Sequence, residues 1–351
     1  MNDVYLLFCV SNRYSIINHT ICKIQNFFNY DFFFKVLKLL FISPRFSGGI
    51  GGHAAMLADQ LIKYGFEVEK LEVPHIPIKN LKNPSFAIFS SLKGILNRDD
   101  FDIVHGFNIP SAYAMKFANG KKKVLTLHGV FGVHISTLHS KPVSSVAKIA
   151  ESQVLKWPDA LTTDSKATQK DYKEQTGLNF EVLPSAIDTN KFLNIPPMEK
   201  VENQVVFLGR ETHEKGIDIL KNAEPQIHGK VVYCDNLPWE EAMKILKSSQ
   251  VLVVPSRRDS LPTVIKEAFY LKVPVIGTNV DGIPELIQDN NNGLLVPSEN
   301  AQKLAEAVNS LLDDKVRSKK LADAGYEFVK KKLTWDVVLP RFIKFYEKLL
   351  H

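Results

Sequence analysis

The sequence predicts an α/β protein built from two doubly wound halves. Short apolar strands alternate with amphipathic helical stretches, which argues for βαβ units and parallel sheets. The alternation restarts after Pro184. The chain has 351 residues, and at ~100–200 residues per domain that length fits two cores better than one.

In the first half, Val36–Ser43 reads as a buried strand running into Pro44, followed by the glycine loop Gly48-Gly49-Ile50-Gly51-Gly52. His53–Tyr64 has helical periodicity, with Gly65 as its stop signal. Phe66–Val73 alternates like a strand. Phe101–His105 and Lys123–His128 read as short strands, each ending at a His-Gly step, and Ala160–Asp164 as another. In the second half, Gln204–Leu208, Lys230–Tyr233, Gln250–Val254 and Val273–Thr278 read as strands. Trp239–Lys247, Thr263–Leu271, Ala301–Leu312, Val316–Lys332 and Trp335–Leu350 read as helices. Asp188–Pro197, with its paired prolines, is the expected linker.

Composition narrows the class. The chain is 45% hydrophobic and 23% charged, with 18 Gly and 18 Pro, which excludes wholesale disorder and collagen-like repeats. No apolar run reaches the ~18 residues of a membrane-spanning helix. Cys9, Cys22 and Cys234 form no paired framework, so a reduced, cytoplasmic setting is expected. The net charge of +6 is lopsided. Residues 1–185 carry 21 Lys/Arg against 15 Asp/Glu, whereas residues 186–351 carry 23 of each. The basic half suits an anionic partner, either a membrane surface to which the protein attaches peripherally or an acidic substrate. A solvated, lysine-rich surface accounts for it equally well.

Residues 1–35 read as an N-terminal extension without Gly or Pro. Val4–Val10 lacks the flanks of a secretory signal. Phe27, Phe28, Phe32, Phe33 and Phe34 suit a membrane interface or an accessory segment. Cys9, His19 and Cys22 do not have zinc spacing.

In open α/β sheets, ligands bind beyond the carboxyl ends of the strands, and the candidate chemistry lies there. The Gly48-Gly49 loop lets backbone approach a phosphate at a helix N-terminus, although it is neither a dinucleotide fingerprint nor a Walker loop. Gly209-Arg210 and Lys215-Gly216 place two cations at one strand-to-helix crevice, which suits a diphosphate leaving group that gains charge as its bond breaks. Asp259-Ser-Leu-Pro-Thr-Val-Ile-Lys-Glu267 places the N–H groups of Thr263 and Val264 at another helix N-terminus. Glu267 can accept from a ribose diol and Asp259 from a sugar hydroxyl. Asp100-Phe101-Asp102 reads as a strand start rather than a metal motif. No glycosidase-like carboxylate pair is apparent. No metal site or cofactor is expected, nor is nucleic-acid binding.

The ordered series Gly-Arg…Glu-Lys-Gly, Pro-Ser, Asp-x7-Glu, Pro-Val-Ile, Gly-Ile-Pro-Glu285 and Asn-Gly-Leu-Leu-Val-Pro297 resembles the retaining nucleotide-sugar glycosyltransferases of the GT-B fold, family 4. The resemblance runs from about Val36 to the C-terminus and is strongest over Val205–Pro297. It implies two Rossmann-like domains with a cleft between them: an acceptor domain, 36–190, joined by the C-terminal helix 335–351, and a donor domain, 191–334. It implies that Arg210 and Lys215 bind the diphosphate, that Glu267 holds the donor ribose and that Asp259 contacts the transferred sugar. Asp259 stands where the family usually has a glutamate, and Pro262 where it often has glycine. Thr263, Val264, Gly48 and Gly49 are implied at the phosphates, and His128 at the donor sugar. Two departures stand out: a shortened course between Ile219 and Val251, which leaves Asp235-Asn236-Leu237 as the base-reading loop, and Leu183–Asp188 at the hinge. The implied activity is metal-independent, retaining transfer from a nucleoside diphosphate sugar to an acceptor hydroxyl, lipid-linked or on a glycan. A sugar-nucleotide-binding protein without catalysis, or a related phosphorylase or epimerase, would use the same cleft.

Overall fold

The computed structural model describes residues 36–73, 82–129, 149 and 151–351. The aromatic stretch 1–35, with Cys9, His19 and Cys22, lies outside them. Two parallel sheets organise the remainder. The first has strand order β2-β1-β3-β4-β5-β6: β1 Lys38–Ser43, β2 Glu67–Glu72, β3 Phe101–Phe107, β4 Gly120–Leu127, β5 Ala160–Thr163 and β6 Glu181–Val182. The second has order β11-β10-β9-β7-β8: β7 Gln204–Leu208, β8 Lys230–Cys234, β9 Val251–Val254, β10 Val275–Thr278 and β11 Leu294–Val296. Central strands such as β9 are buried along their whole length, as parallel strands covered on both faces must be.

The helices in chain order are α1 Gly49–Lys63, α2 Lys82–Leu96, α3 Ile109–Phe117, α4 Lys166–Thr176, α5 Ile217–Ala223, α6 Trp239–Ser248, α7 Thr263–Tyr270, α8 Ile283–Leu286, α9 Ala301–Asp313, α10 Lys315–Lys332 and α11 Trp335–Leu350. Helix α1 starts at Gly49, inside the loop expected to precede it. Its glycines occupy the first turn, where backbone N–H groups have no partner within the helix. Strand β3 runs through His105 instead of ending there. The His105 ring is buried and stacks on Phe107, so the ladder continues beside β4 to Phe107↔Thr126. The shortened course before Val251 contains one strand and one long helix, β8 and α6. The Asp-x-Asp step is a strand start: buried Asp102 accepts from the Lys38 backbone N–H at 3.0 Å and from Lys121 Nζ at 2.6 Å.

The expected linker is not free chain. Thr189–Asn194 forms a 3-10 turn, and Phe192 and Ile195 are buried in the core of the second sheet. The chain passes between the halves at two adjacent points, where Ile187 bridges Thr334. Helix α11 returns to the first half: Trp335, Val338, Phe342 and Tyr346 pack with β1 and α1. Its anchor is polar. The Tyr346 hydroxyl meets His105 Nδ1 at 2.8 Å, and His105 Nε2 meets Thr126 Oγ1 at 2.6 Å. Burial, with a smaller contribution from His128, pushes the His105 pKa down to about 3, so the ring is neutral and both nitrogens are used.

Lys266, on α7, is fully buried and donates to the Ser185 carbonyl at 2.9 Å and the Ser185 hydroxyl at 2.6 Å. This ammonium from the second half therefore grips the chain leaving the first sheet. Burial lowers its pKa to about 8 against the opposing pull of Asp164, Glu267 and Asp259.

Tyr346→Phe should cost about 1–3 kcal/mol in urea unfolding, because it leaves a buried His105 nitrogen unpaired; an unchanged midpoint would mean that solvent replaces the bond. Stability should also depend on pH through Lys266. Between the folded and unfolded pKa of Lys266, the unfolded chain holds a proton that the folded chain has released, so stability rises with pH there. Relative to Lys266→Met, the natural protein should gain about 2 kcal/mol from pH 7.5 to pH 10. Parallel pH curves for the two proteins would show that this lysine is not desolvated.

Candidate active site

Strand order fixes where a site can form. In the second sheet the connections turn one way after β7 and the other way after β9, and these strands are neighbours. The loops after them therefore part at a switch point, the usual ligand position in an open sheet. Gly209–Gly216 follows β7 and Pro255–Pro262 follows β9. They touch at Gly216, where φ is +67° and an added Cβ would lie 1.9 Å from the Pro255 carbonyl oxygen. That close approach requires glycine, and it carries Lys215 to Asp259. The Lys215 ammonium is paired with Asp259 Oδ2, and the Ser256 hydroxyl lies 3.4 Å from the same oxygen.

Helix α7 starts four residues beyond Asp259. No side chain caps it, so the N–H groups of Thr263 and Val264 stand at an open positive helix end. On its second turn, half-buried Glu267 accepts from Trp239 Nε1 at 2.8 Å. Burial raises the Glu267 pKa against the Trp239 bond and the nearby Lys266 and Lys191. Arg210 is exposed, and its side chain makes no hydrogen bond or ion pair among the described residues. Lys215 and Asp259 thus meet shortly before the start of α7, which carries Thr263, Val264 and, one turn on, Glu267, while exposed Arg210 follows β7.

The first sheet has its own switch point between β1 and β3. Gly48 enters α1 with φ +62°, and no side chain caps that helix. An added Cβ at Gly48 would lie 3.5 Å from Arg45 Nη2, so a guanidinium stands beside the Gly48-Gly49 loop. His128 follows β4 directly. Its Nδ1 lies 2.9 Å from Asp164 Oδ2, and its Nε2 is buried without a partner among the described residues. His53, from α1, meets the His128 ring edge-on at 5.4 Å and stacks on Trp335 at 5.8 Å. Burial, followed by His128, holds the His53 pKa well below the ordinary imidazole value.

The carboxyl ends of the two sheets meet here. The Ser260 hydroxyl lies 2.5 Å from Asp164 Oδ1, 2.8 Å from the Ser165 hydroxyl and 3.0 Å from the Thr168 hydroxyl. Glu285 accepts from the backbone N–H groups of Lys166 at 3.0 Å and Ala167 at 2.8 Å, a carboxylate at the positive end of α4. Gly282 makes this approach possible, since a Cβ there would lie 1.5 Å from the Ser260 carbonyl oxygen.

Sequence reasoning missed Arg45, Asp164, Ser260, Lys266 and Trp239. Asp164-Ser165 at a strand end did carry a signal, because Ser165 caps α4 at Thr168. Asp235–Leu237 follows β8 at the same end of the sheet. Among the described residues, no three His, Cys, Asp or Glu side chains are placed to hold a metal ion, and no helix is long and apolar enough to cross a membrane. A cavity of about 700 Å³ bordered by Lys200, Gln250, Lys272, Pro274, Lys315 and Lys319 opens elsewhere, at the amino ends of β9 and β10.

Known proteins resemble this chain in sequence and in fold. Residues 47–191 match the profile described as Glycosyltransferase Family 4, and residues 224–328 match Glycosyl transferases group 1. The putative teichuronic acid biosynthesis glycosyltransferase TuaC of Bacillus subtilis is 28% identical over 68% of each chain. Sucrose-phosphate synthase from Thermosynechococcus elongatus superposes with a TM-score of 0.73 at 19% identity, covering 89% of this chain and 99% of that one. Anabaena Alr3699/HepE in complex with UDP-glucose superposes with a TM-score of 0.66 at 16% identity, covering 89% and 100%. The chain belongs to the family 4 glycosyltransferases (glycosyl transferases group 1): it is a retaining, nucleotide-sugar-dependent glycosyltransferase of the GT-B fold.

Proposed function

We propose that this enzyme transfers a hexosyl group from a nucleoside diphosphate sugar to a hydroxyl of a glycan or lipid-linked acceptor, with the diphosphate seated against Lys215 and the N-terminus of α7. The observation that supports it is the Lys215–Asp259 pair beside an uncapped helix end at the switch point. Arg210 reaches the same diphosphate from the exposed side. Gly48, Gly49 and Arg45 face the phosphates from the first half. Glu267 accepts from the ribose, with Asp235–Leu237 nearest the base. His128 and Asp259 address the transferred sugar.

The acceptor oxygen bonds to the anomeric carbon on the face from which the diphosphate leaves. The bond from that carbon to the phosphate oxygen breaks, and the departing phosphate takes the acceptor proton. Configuration is therefore retained. Lys215, Arg210 and the helix end stabilise the charge growing on the phosphate, so EDTA should leave binding and turnover intact.

Without donor, Asp259 occupies the Lys215 ammonium. Donor binding must exchange that carboxylate for the diphosphate, which frees Asp259 to accept from a sugar hydroxyl. A panel of UDP-, GDP-, ADP- and dTDP-sugars read by thermal shift tests this. A ligand at ~100 times its Kd stabilises by about 2.7 kcal/mol. One nucleotide should raise Tm, and Lys215→Ala should abolish the shift. Asp259→Asn should keep the shift but lose turnover, because it frees Lys215 while weakening the sugar contact. A shift lost equally in both variants would contradict this exchange, and binding without turnover would favour the non-catalytic reading.

A membrane-surface acceptor is the second reading, and α2 favours it. Ser90 and Gly94 are the buried side of this helix, with Gly94 against Ala114. Ile88, Leu92, Ile95 and Leu96 are exposed, on a half of the chain that carries the net positive charge. Cosedimentation with anionic vesicles should exceed that with neutral ones at low salt and fall in Leu92→Glu/Leu96→Glu. Equal pelleting with both lipids would reject a membrane role.

A further inference from the structure

We propose that Asp164 is a positioning residue for glycosyl transfer: its carboxylate orients the His128 ring from one side and is held from the other by Ser260 of the opposite sheet, so His128 is aligned only when the two halves are in contact. This rests on the reading above that His128 meets the donor sugar.

The first link follows from sheet register. Strands β4 and β5 pair in parallel, with Leu127 opposite Thr163. The next residue on each strand is His128 and Asp164, so the two leave the sheet side by side, at the ~4.8 Å strand spacing. Asp164 is 4% exposed. Its Oδ2 takes His128 Nδ1 at 2.9 Å and its Oδ1 takes the Ser260 hydroxyl at 2.5 Å. Both carboxylate oxygens are therefore committed, one to each half.

The chemistry of the pair sets the ring. Burial opposes the charged carboxylate, but the His128 ring and its hydrogen bond, the Ser260 hydroxyl and the Lys266 ammonium outweigh it and leave the Asp164 pKa below its ordinary value. An ionised carboxylate only accepts, so Nδ1 must carry the proton. Nε2, buried and without a protein partner among the described residues, is then the nitrogen left for a substrate hydroxyl. Neutral His53 packs against the ring edge-on and limits its rotation.

The second link makes orientation depend on closure. Ser260 lies between Asp259, the partner of Lys215, and Leu261 in the loop entering α7. It reaches Asp164, Ser165 and Thr168 of the first half together. Opening the halves would remove one of the two bonds that fix Asp164 and leave the carboxylate free to turn away from His128. The two side chains expected at the transferred sugar, His128 and Asp259, are thus registered across the halves by one hydroxyl.

The test uses the full chain labelled with 15N-histidine, with the His128 signal identified by its loss in His128→Gln. Long-range 1H–15N spectra should show a proton on Nδ1. In Asp164→Asn that preference should relax to a mixture. Hydrolysis of the sugar nucleotide found in the thermal-shift panel should fall on the order of 100-fold in kcat, with donor KM within about 3-fold, the range expected when orientation and not binding is lost. Ser260→Ala, which removes one of the two bonds that fix Asp164, should partly relax the Nδ1 preference and lower kcat roughly 10-fold through orientation; the natural tautomer and kcat in this variant would overturn the link between closure and alignment. An Nε2-protonated His128 in the natural protein, or a tautomer unchanged in Asp164→Asn, would overturn the proposal. So would a relaxed tautomer with unchanged kcat. If the natural protein binds no sugar nucleotide, the transfer reading fails and this role with it, a result distinguishable because the tautomer is read without donor.

Discussion

The Ser260 hydroxyl is one small polar group that crosses from the second sheet to the first and joins the loops proposed to form the site. Parallel sheets place their catalytic loops at their carboxyl ends. Two such sheets form one site only if those ends face each other and stay in register. Here the register comes from hydrogen bonds among Ser260, Asp164, Ser165 and Thr168, with Glu285 on the start of α4 beside them. These are polar and directional contacts. They add directional specificity to the apolar packing of α11, whose Trp335, Val338, Phe342 and Tyr346 join the core of the first half.

Charge follows the same plan. Three carboxylates at the site each have a hydrogen-bonded partner or a fixed dipole. Asp259 answers Lys215, Asp164 answers His128 and Ser260, and Glu285 answers a helix end. Lys266 is held differently. It is fully buried, and its hydrogen bonds go to the neutral Ser185 carbonyl and hydroxyl, with carboxylates acting on it only at longer range. A desolvated ammonium is costly. Its position at the crossing between halves gives that cost a structural purpose: it fixes the path of Ser185 directly behind the α7 helix that carries Glu267.

Much of this was legible in the sequence. Apolar runs such as Leu39–Ile42 and Val251–Val254 mark buried parallel strands because both faces must be covered. Gly48 and Gly216 mark turns with positive φ, and at Gly216 a side chain would also collide with the Pro255 carbonyl. The set proposed to face the phosphates stands out because cations, helix starts and glycines fall in order along the chain. What stayed hidden was tertiary. Asp164 looks like the end of a strand, and only the pairing of β4 with β5 brings it to His128. Ser260 has no motif of its own and gains meaning from the opposite sheet. Lys266 sits on α7 like a surface lysine, yet points at the crossing. Asp188–Pro197 has the composition of a linker, but Phe192 and Ile195 draw it into a core. The first three depend on hydrogen-bond partners at least 36 positions away, and the last on a core gathered from Ile187 to Leu333, beyond any local pattern.

The central claim is that a nucleoside diphosphate replaces Asp259 at Lys215 on the α7 helix end. A crystal structure with the nucleotide selected by thermal shift tests it most directly. The account predicts the phosphates against Lys215 Nζ and the N–H groups of Thr263 and Val264, the ribose hydroxyls at Glu267, and Asp259 turned away from the lysine. A nucleotide bound in the lysine-bordered cavity of Lys200, Lys272 and Lys315, or one bound with the Lys215–Asp259 pair still closed, would contradict it.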